Sequence, residues 1–218
     1  MKRIVLLVIP LLVLLFGISA AFGAGISAFG IKAGFNFSKM PNDFYNSHSE
    51  FRFDGGIFVR FKPIQSINLS VQPEIKYTRI GDNLGEFTRY SETHVIIGTY
   101  KFYYHHDYIE MPVLARFGLI PEGIIKPDIL LGFSTSYLVR AKGGDTFKEF
   151  PDYDVKEYLN EIDCGFLFGL GFDIFPSQYM VTLEARYYLG LTDINNNAVY
   201  SRKNRVLSFS IGFGVNNQ

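Results

Sequence analysis

The sequence predicts an all-β fold: an eight-stranded antiparallel up-and-down transmembrane β-barrel. Three observations predict it. Eight segments alternate apolar with polar or small residues, the period-two signature of a strand with two unlike faces. The connections between them alternate in length, as in barrels with tight turns at one membrane face and longer loops at the other. The apolar face is also too bulky to fit inside, because an eight-stranded barrel has an interior just wide enough for side chains to fill it.

The first strand, about residues 28–38, sets Phe29, Ile31, Ala33, Phe35 and Phe37 against Gly30, Lys32, Gly34, Asn36 and Ser38. The second sets Phe51, Phe53, Ile57, Val59 and Phe61 against Arg52, Asp54, Gly56, Phe58 and Arg60. The third sets Ile67, Leu69, Val71, Pro73, Ile75 and Tyr77 against Gln72, Glu74, Lys76 and Thr78. The fourth is long, residues 95–119, and its second half sets Ile109, Met111, Val113, Ala115 and Phe117 against Glu110, Pro112, Leu114 and Arg116. The fifth opposes Ile129, Leu131, Phe133, Tyr137 and Val139 to Gly132, Ser134, Ser136 and Arg140. The sixth opposes Ile162, Cys164, Phe166, Phe168, Leu170 and Phe172 to Asp163, Gly165, Gly169, Gly171 and Asp173. The seventh and eighth put Leu183, Ala185, Tyr187, Phe209, Ile211 and Phe213 opposite Thr182, Glu184, Arg186, Ser210, Gly212 and Gly214. Segments 41–50, 81–94, 143–160 and 192–204 are expected as long outer loops, and 62–65 and 175–178 as short turns.

With the Phe-rich face toward lipid, the lumen face carries Lys32, Arg52, Asp54, Arg60, Glu74, Lys76, Glu110, Arg116, Arg140, Asp163, Asp173, Glu184 and Arg186. Near-balance of sign is what pairing requires, because an unpaired buried ion costs several kcal/mol. Glu74, Glu110, Arg116, Glu184 and Arg186 are the candidate site: a paired network that plugs the barrel. Such a barrel does not conduct.

The start of the chain reads as a secretory leader. Lys2 and Arg3 precede an apolar run over residues 4–18, and small residues follow. Cleavage is expected after Ala21 or Gly23, so residues 1–23 form the signal peptide and 24–218 the barrel domain. The single cysteine, Cys164, excludes an intrachain disulfide. Equal numbers of basic and acidic residues, 21 each, give no field for nucleic acid.

Other chemistry is sparse. His105-His106-Asp107 is the one histidine cluster; alternation lets His105 and Asp107 share a face, and it reads as a solvated strand end at the outer rim. It has too few ligands for a metal site, and no nucleophile motif accompanies it. Asp145, Asp152 and Asp154 lack calcium-loop spacing. No cofactor is expected. Cys164 is read as a small residue on the lipid face, Pro73 and Pro112 as sources of local bulges, and Arg79 as a side chain able to reach lipid head groups.

Several motifs resemble the PorT-like outer-membrane β-barrel family of Bacteroidetes. They are Gly30-Ile31-Lys32-Ala33-Gly34-Phe35-Asn36-Phe37-Ser38, Gln72-Pro73-Glu74-Ile75-Lys76-Tyr77, Tyr108-Ile109-Glu110-Met111-Pro112-Val113-Leu114, Gly132-Phe133-Ser134-Thr135-Ser136-Tyr137-Leu138 and Arg186-Tyr187-Tyr188-Leu189-Gly190-Leu191-Thr192. The resemblance implies an eight-stranded outer-membrane barrel, and its name-giving member belongs to a type IX protein-secretion system. One departure is that Phe213 is followed by Gly214-Val215-Asn216-Asn217-Gln218 rather than standing as a terminal aromatic.

Three functions fit these readings. The first is a non-enzymatic barrel in contact with outer-membrane lipid, acting through its loops in surface structure or in binding other envelope proteins. The second is a component of an envelope machine such as type IX secretion. The third is an outer-membrane enzyme or small-solute channel.

Overall fold

The computed structural model describes residues 25–39, 48–63, 68–91, 93, 96–120, 123–145, 152–196 and 201–217. The expected leader, most of the first outer loop, and Ile67 of the third strand lie outside them. The strands are β1 (Ile26–Lys39), β2 (His48–Phe61), β3 (Leu69–Tyr90), β4 (Ile96–Gly118), β5 (Ile125–Asp145), β6 (Tyr153–Asp154), β7 (Ile162–Ile174), β8 (Tyr179–Gly190) and β9 (Arg205–Asn216).

Each long strand pairs antiparallel with the next, and β9 pairs with β1, so eight strands close into a barrel without an edge. The two-residue β6 stands apart from the wall; it pairs with Lys142 and Gly143 of β5 near the outer mouth. The alternation is met along the wall. Phe29, Ile31, Phe53, Ile57, Ile75, Phe168, Leu170, Ile211 and Phe213 are exposed, while Lys32, Asn36, Gln72, Glu74, Thr182 and Glu184 are buried.

β1, β2, β7, β8 and β9 have 12–14 residues, whereas β3, β4 and β5 have 21–23. About twelve residues at roughly 3.3 Å each, tilted by about 45°, cover about 28 Å, which is one hydrocarbon thickness. The additional residues of β3, β4 and β5 therefore rise well above it. Much of the expected 81–94 loop is strand: β3 runs to Tyr90 and pairs with β4 up to Tyr90–Ile96. Above the bilayer both faces of a hairpin meet water, so no apolar face marks it in sequence.

Two expectations about single strands are corrected. The prolines do not bulge the ladder: Pro73 pairs with Val113, and the same register resumes at Lys76–Glu110. A proline removes one donor but leaves the inside–outside alternation on either side, and that alternation sets register. Within the membrane-facing part of this wall a bulge falls instead in β5, where Asp107 pairs with Arg140 and Tyr108 with Leu138; the β3–β4 register shifts only farther out, beyond Asn83. Val139 and Arg140 then both point outward, and Leu138 and Ala141 are buried. Arg140 is therefore exposed and is not a lumen charge.

Candidate functional site

The lumen is filled in layers. At the short-turn end, Ala28, Phe58 and Met180 pack with Phe175. At the long-loop end, Ile80, Tyr108, Leu138, Ala141 and Val206 pack with Val155, Leu159 and Ile194 from the outer connections. The ionic layer lies between these apolar ones.

Alternation aims side chains from all around the barrel at that layer. Lys32 of β1 places its Nζ 2.7 Å from Glu74 Oε1 of β3 and 2.6 Å from Glu184 Oε2 of β8. Arg186 of β8 donates through both terminal nitrogens to Glu74, at 2.8 and 2.6 Å, and also pairs with Glu184. Arg116 of β4 holds three carboxylates: Glu184 at 2.5 Å, Asp128 at 2.6 Å and Asp173 at 3.0 Å. Arg60 of β2 donates to Asp173 at 2.5 Å and to Gln72 Oε1 at 3.0 Å. Gln72 in turn donates to Glu74 at 2.6 Å. Every charge in this layer meets an opposite one, and the planar guanidinium forks supply the branching that a Lys could not.

Of the five candidate residues, Glu74, Arg116, Glu184 and Arg186 meet in one continuous network. Glu110 sits one layer outward. It accepts from Thr78 Oγ1 and Ser134 Oγ, each at 3.0 Å, and has Lys76 at 3.8 Å, with Asp54 on the far side of Lys76 at 3.1 Å. Sequence reasoning missed Asp128. It precedes Ile129, where the expected strand began, and one further step of the same alternation would have assigned it to the lumen. Gly171 permits the network locally, because a Cβ there would stand 2.8 Å from Arg116 Nη2.

The outer rim differs from expectation in three places. Arg79 is ion-paired on the outer wall rather than free. Its guanidinium is held by Asp107 in a two-point pair, Nε at 2.6 Å and Nη2 at 2.9 Å. His106 is buried, not solvated, with its ring edge-on to Tyr108. Burial first, then the positive charge of Arg202 and the neighbouring His105, lowers its pKa from 6.5 to about 3, so the ring is neutral at ordinary pH. Cys164 keeps outward parity but is buried, beside its register partner Thr135.

β2 also loses its pairing with β3 between Ser49 and Asp54. From the lumen side, Asn36 and Ser38 of β1 bond Arg79 O and Gly81 O and close the gap. On the outer wall it leaves a groove of about 620 Å³ lined by Phe51, Phe53, Tyr77, Arg79, Tyr103 and His105.

A family profile described as "Outer membrane protein beta-barrel domain" matches residues 20–196. None of the curated proteins matches the chain. Among solved structures, Neisserial surface protein A is 15% identical, with 87% of this chain and 98% of that one covered at a TM-score of 0.47. The attachment invasion locus protein Ail of Yersinia pestis is 13% identical, with 88% and 99% covered at 0.40. The outer membrane protein OprG of Pseudomonas aeruginosa is 14% identical, with 88% and 97% covered at 0.42.

Proposed function

Because the chain belongs to the outer-membrane β-barrel domain family, we propose that it is a plugged, non-enzymatic barrel that acts through its outer surface, in surface structure or partner binding. The observation that supports this is the lumen. Lys32, Arg60, Glu74, Arg116, Asp128, Asp173, Glu184 and Arg186 come from seven of the eight wall strands and are all buried in one ion-paired layer. Apolar clusters lie on both sides of that layer. An ion crossing here would have to break several buried pairs, each costing about 3–5 kcal/mol to open.

With the lumen closed, the surface left for a partner is the projecting β3–β4–β5 wall with its groove, the part of the barrel that rises above the bilayer. The PorT-like motifs are a reason to look for that partner among envelope proteins. Residues 1–23 belong to the same reading as a cleaved export signal.

Purified protein in planar bilayers tests the closed lumen. The expected result is no steady conductance above the bare membrane, and steady large currents would overturn the proposal. Detergent pull-down of the native protein, compared with a form lacking the hairpin tip, tests the outer surface. Co-purifying envelope proteins lost with the tip are the expected outcome; unchanged recovery would move the contact elsewhere.

A further inference from the structure

Where β2 and β3 lose their pairing between Ser49 and Asp54, the outer wall is concave rather than flat. The groove there has an aromatic lining, with Arg52 and Arg79 set into it. Its height follows from the strand. Arg79 lies ten residues beyond Leu69, where β3 begins. At about 3.3 Å per residue and about 45° of tilt, that is about 23 Å up the wall, at the upper edge of an apolar band about 25 Å tall. Below this level the exposed Ile57, Ile75 and Tyr77 continue the lipid-facing wall. At its upper end Tyr103 and His105 stack with ring planes 7° apart.

Charge at this level is arranged asymmetrically. The Asp107 side chain is only 4% exposed, because Arg79 covers it, whereas Arg79 itself stays 40% exposed. Arg79 Nε and Nη2 hold the carboxylate, and Nη2 also reaches Tyr77 Oη at 3.3 Å. Its Nη1 makes no hydrogen bond among the described residues. The pair therefore turns its positive side outward. The carboxylate in the lining, Asp54, is buried and held by Lys76 at 3.1 Å. Arg52 brings a second guanidinium to the groove. His105 adds a ring nitrogen, Nδ1, that has no hydrogen-bond partner and can donate in one tautomer.

We propose that this groove binds the phosphate headgroup of one outer-leaflet lipid. Arg79, Arg52 and His105 surround the phosphate, and the lipid chains descend over Phe53 and Tyr77. Guanidinium and phosphate form strong charge-assisted hydrogen bonds, and an arginine at the membrane rim is well placed to make them. The apolar wall that continues below the cations selects a lipid over a free phosphate ion. The site leaves the strands projecting above it to a protein partner and does not depend on a closed lumen.

The test titrates the folded protein in non-ionic detergent with dioleoyl phosphatidic acid, followed by native mass spectrometry. One lipid per barrel should be retained, saturably and roughly tenfold more tightly than dioleoylglycerol, which has the same chains without the phosphate. Inorganic phosphate at equal concentration should not displace it. Arg79→Gln combined with Asp107→Asn removes both charges, keeps a neutral pair and should weaken retention about tenfold. Arg52→Gln leaves the Arg79–Asp107 pair intact; it should weaken retention to a smaller extent and serves if the double variant does not fold. Arg140→Gln, which removes an exposed cation of β5, should change nothing. Equal retention of the two lipids, displacement by inorganic phosphate, undiminished retention in the groove variants, an equal loss in Arg140→Gln, or paired barrels in place of lipid adducts would each overturn the proposal. None of these measurements reads conductance, so failure here and failure of the closed-lumen reading are distinguishable.

Discussion

Arg116 is the branching cation of the plug, since Glu184, Asp128 and Asp173 all converge on its guanidinium. Arg116→Ala leaves those carboxylates without their common partner and should destabilise the barrel by about 3–5 kcal/mol. Arg116→Lys keeps the charge but loses the fork and should cost less. Arg140→Ala should change stability by less than about 0.5 kcal/mol, because the side chain is outside. Urea titration of the folded band in lipid measures all three. Equal losses for Arg116→Ala and Arg140→Ala would contradict the layering described above. The contrast also marks what was legible. Arg116 follows from parity along β4. Arg140 does not, because one inserted residue at Val139 reverses the face of everything beyond it. No residue type in that stretch announces the insertion.

At the scale of elements, the paired extension of β3 and β4 distinguishes this barrel from a minimal one. Alternation over 69–78 and 109–117 was readable because lipid lies on one side and a packed lumen on the other. The same strands beyond Ile80 and before His106 give no such pattern, since water can lie on both sides of them. The extension is tied down where Ile80 faces His106, which in turn pairs with Ala141 of β5. His106 makes this joint acid-sensitive. Its unfolded form takes a proton near pH 6.5, but the buried ring does so only at about 3. The unfolded state thus binds more protons between those values, and stability should fall as pH drops through that window. Above about pH 7 this residue should contribute no pH dependence. His106→Phe should remove that part of the acid sensitivity, which thermal unfolding between pH 4 and 8 can measure. An unchanged pH profile would show that the ring is not held neutral.

For the whole molecule, closure and filling are the decisive properties. Eight strands give a lumen narrow enough for side chains to fill, and here they occupy most of it, with charge in the middle and apolar groups at both mouths. The expected behaviour is a barrel that neither conducts nor swells sugar-loaded liposomes. Export provides an independent check at this scale. The mature protein from native membranes should begin at Phe22 or Ala24, and intact-mass measurement will read that directly. A mature chain retaining residues 1–23 would contradict the signal-peptide reading.

Strand number, facing and the outer-membrane setting follow from the sequence alone. Alternation with period two is a local property, and the bulk of Phe against Gly and Ser decides which face fits inside. The identity of most lumen charges follows in the same way. Only the tertiary structure decided who pairs with whom. Arg116 meets Asp128, Asp173 and Glu184 across intervals of 12 to 68 residues. Those meetings depend on the stagger between strands and on closure of the barrel. Neither is written in the neighbourhood of any single residue, so the eight-stranded barrel and most of its lumen charges were visible from the start and their pairing was not.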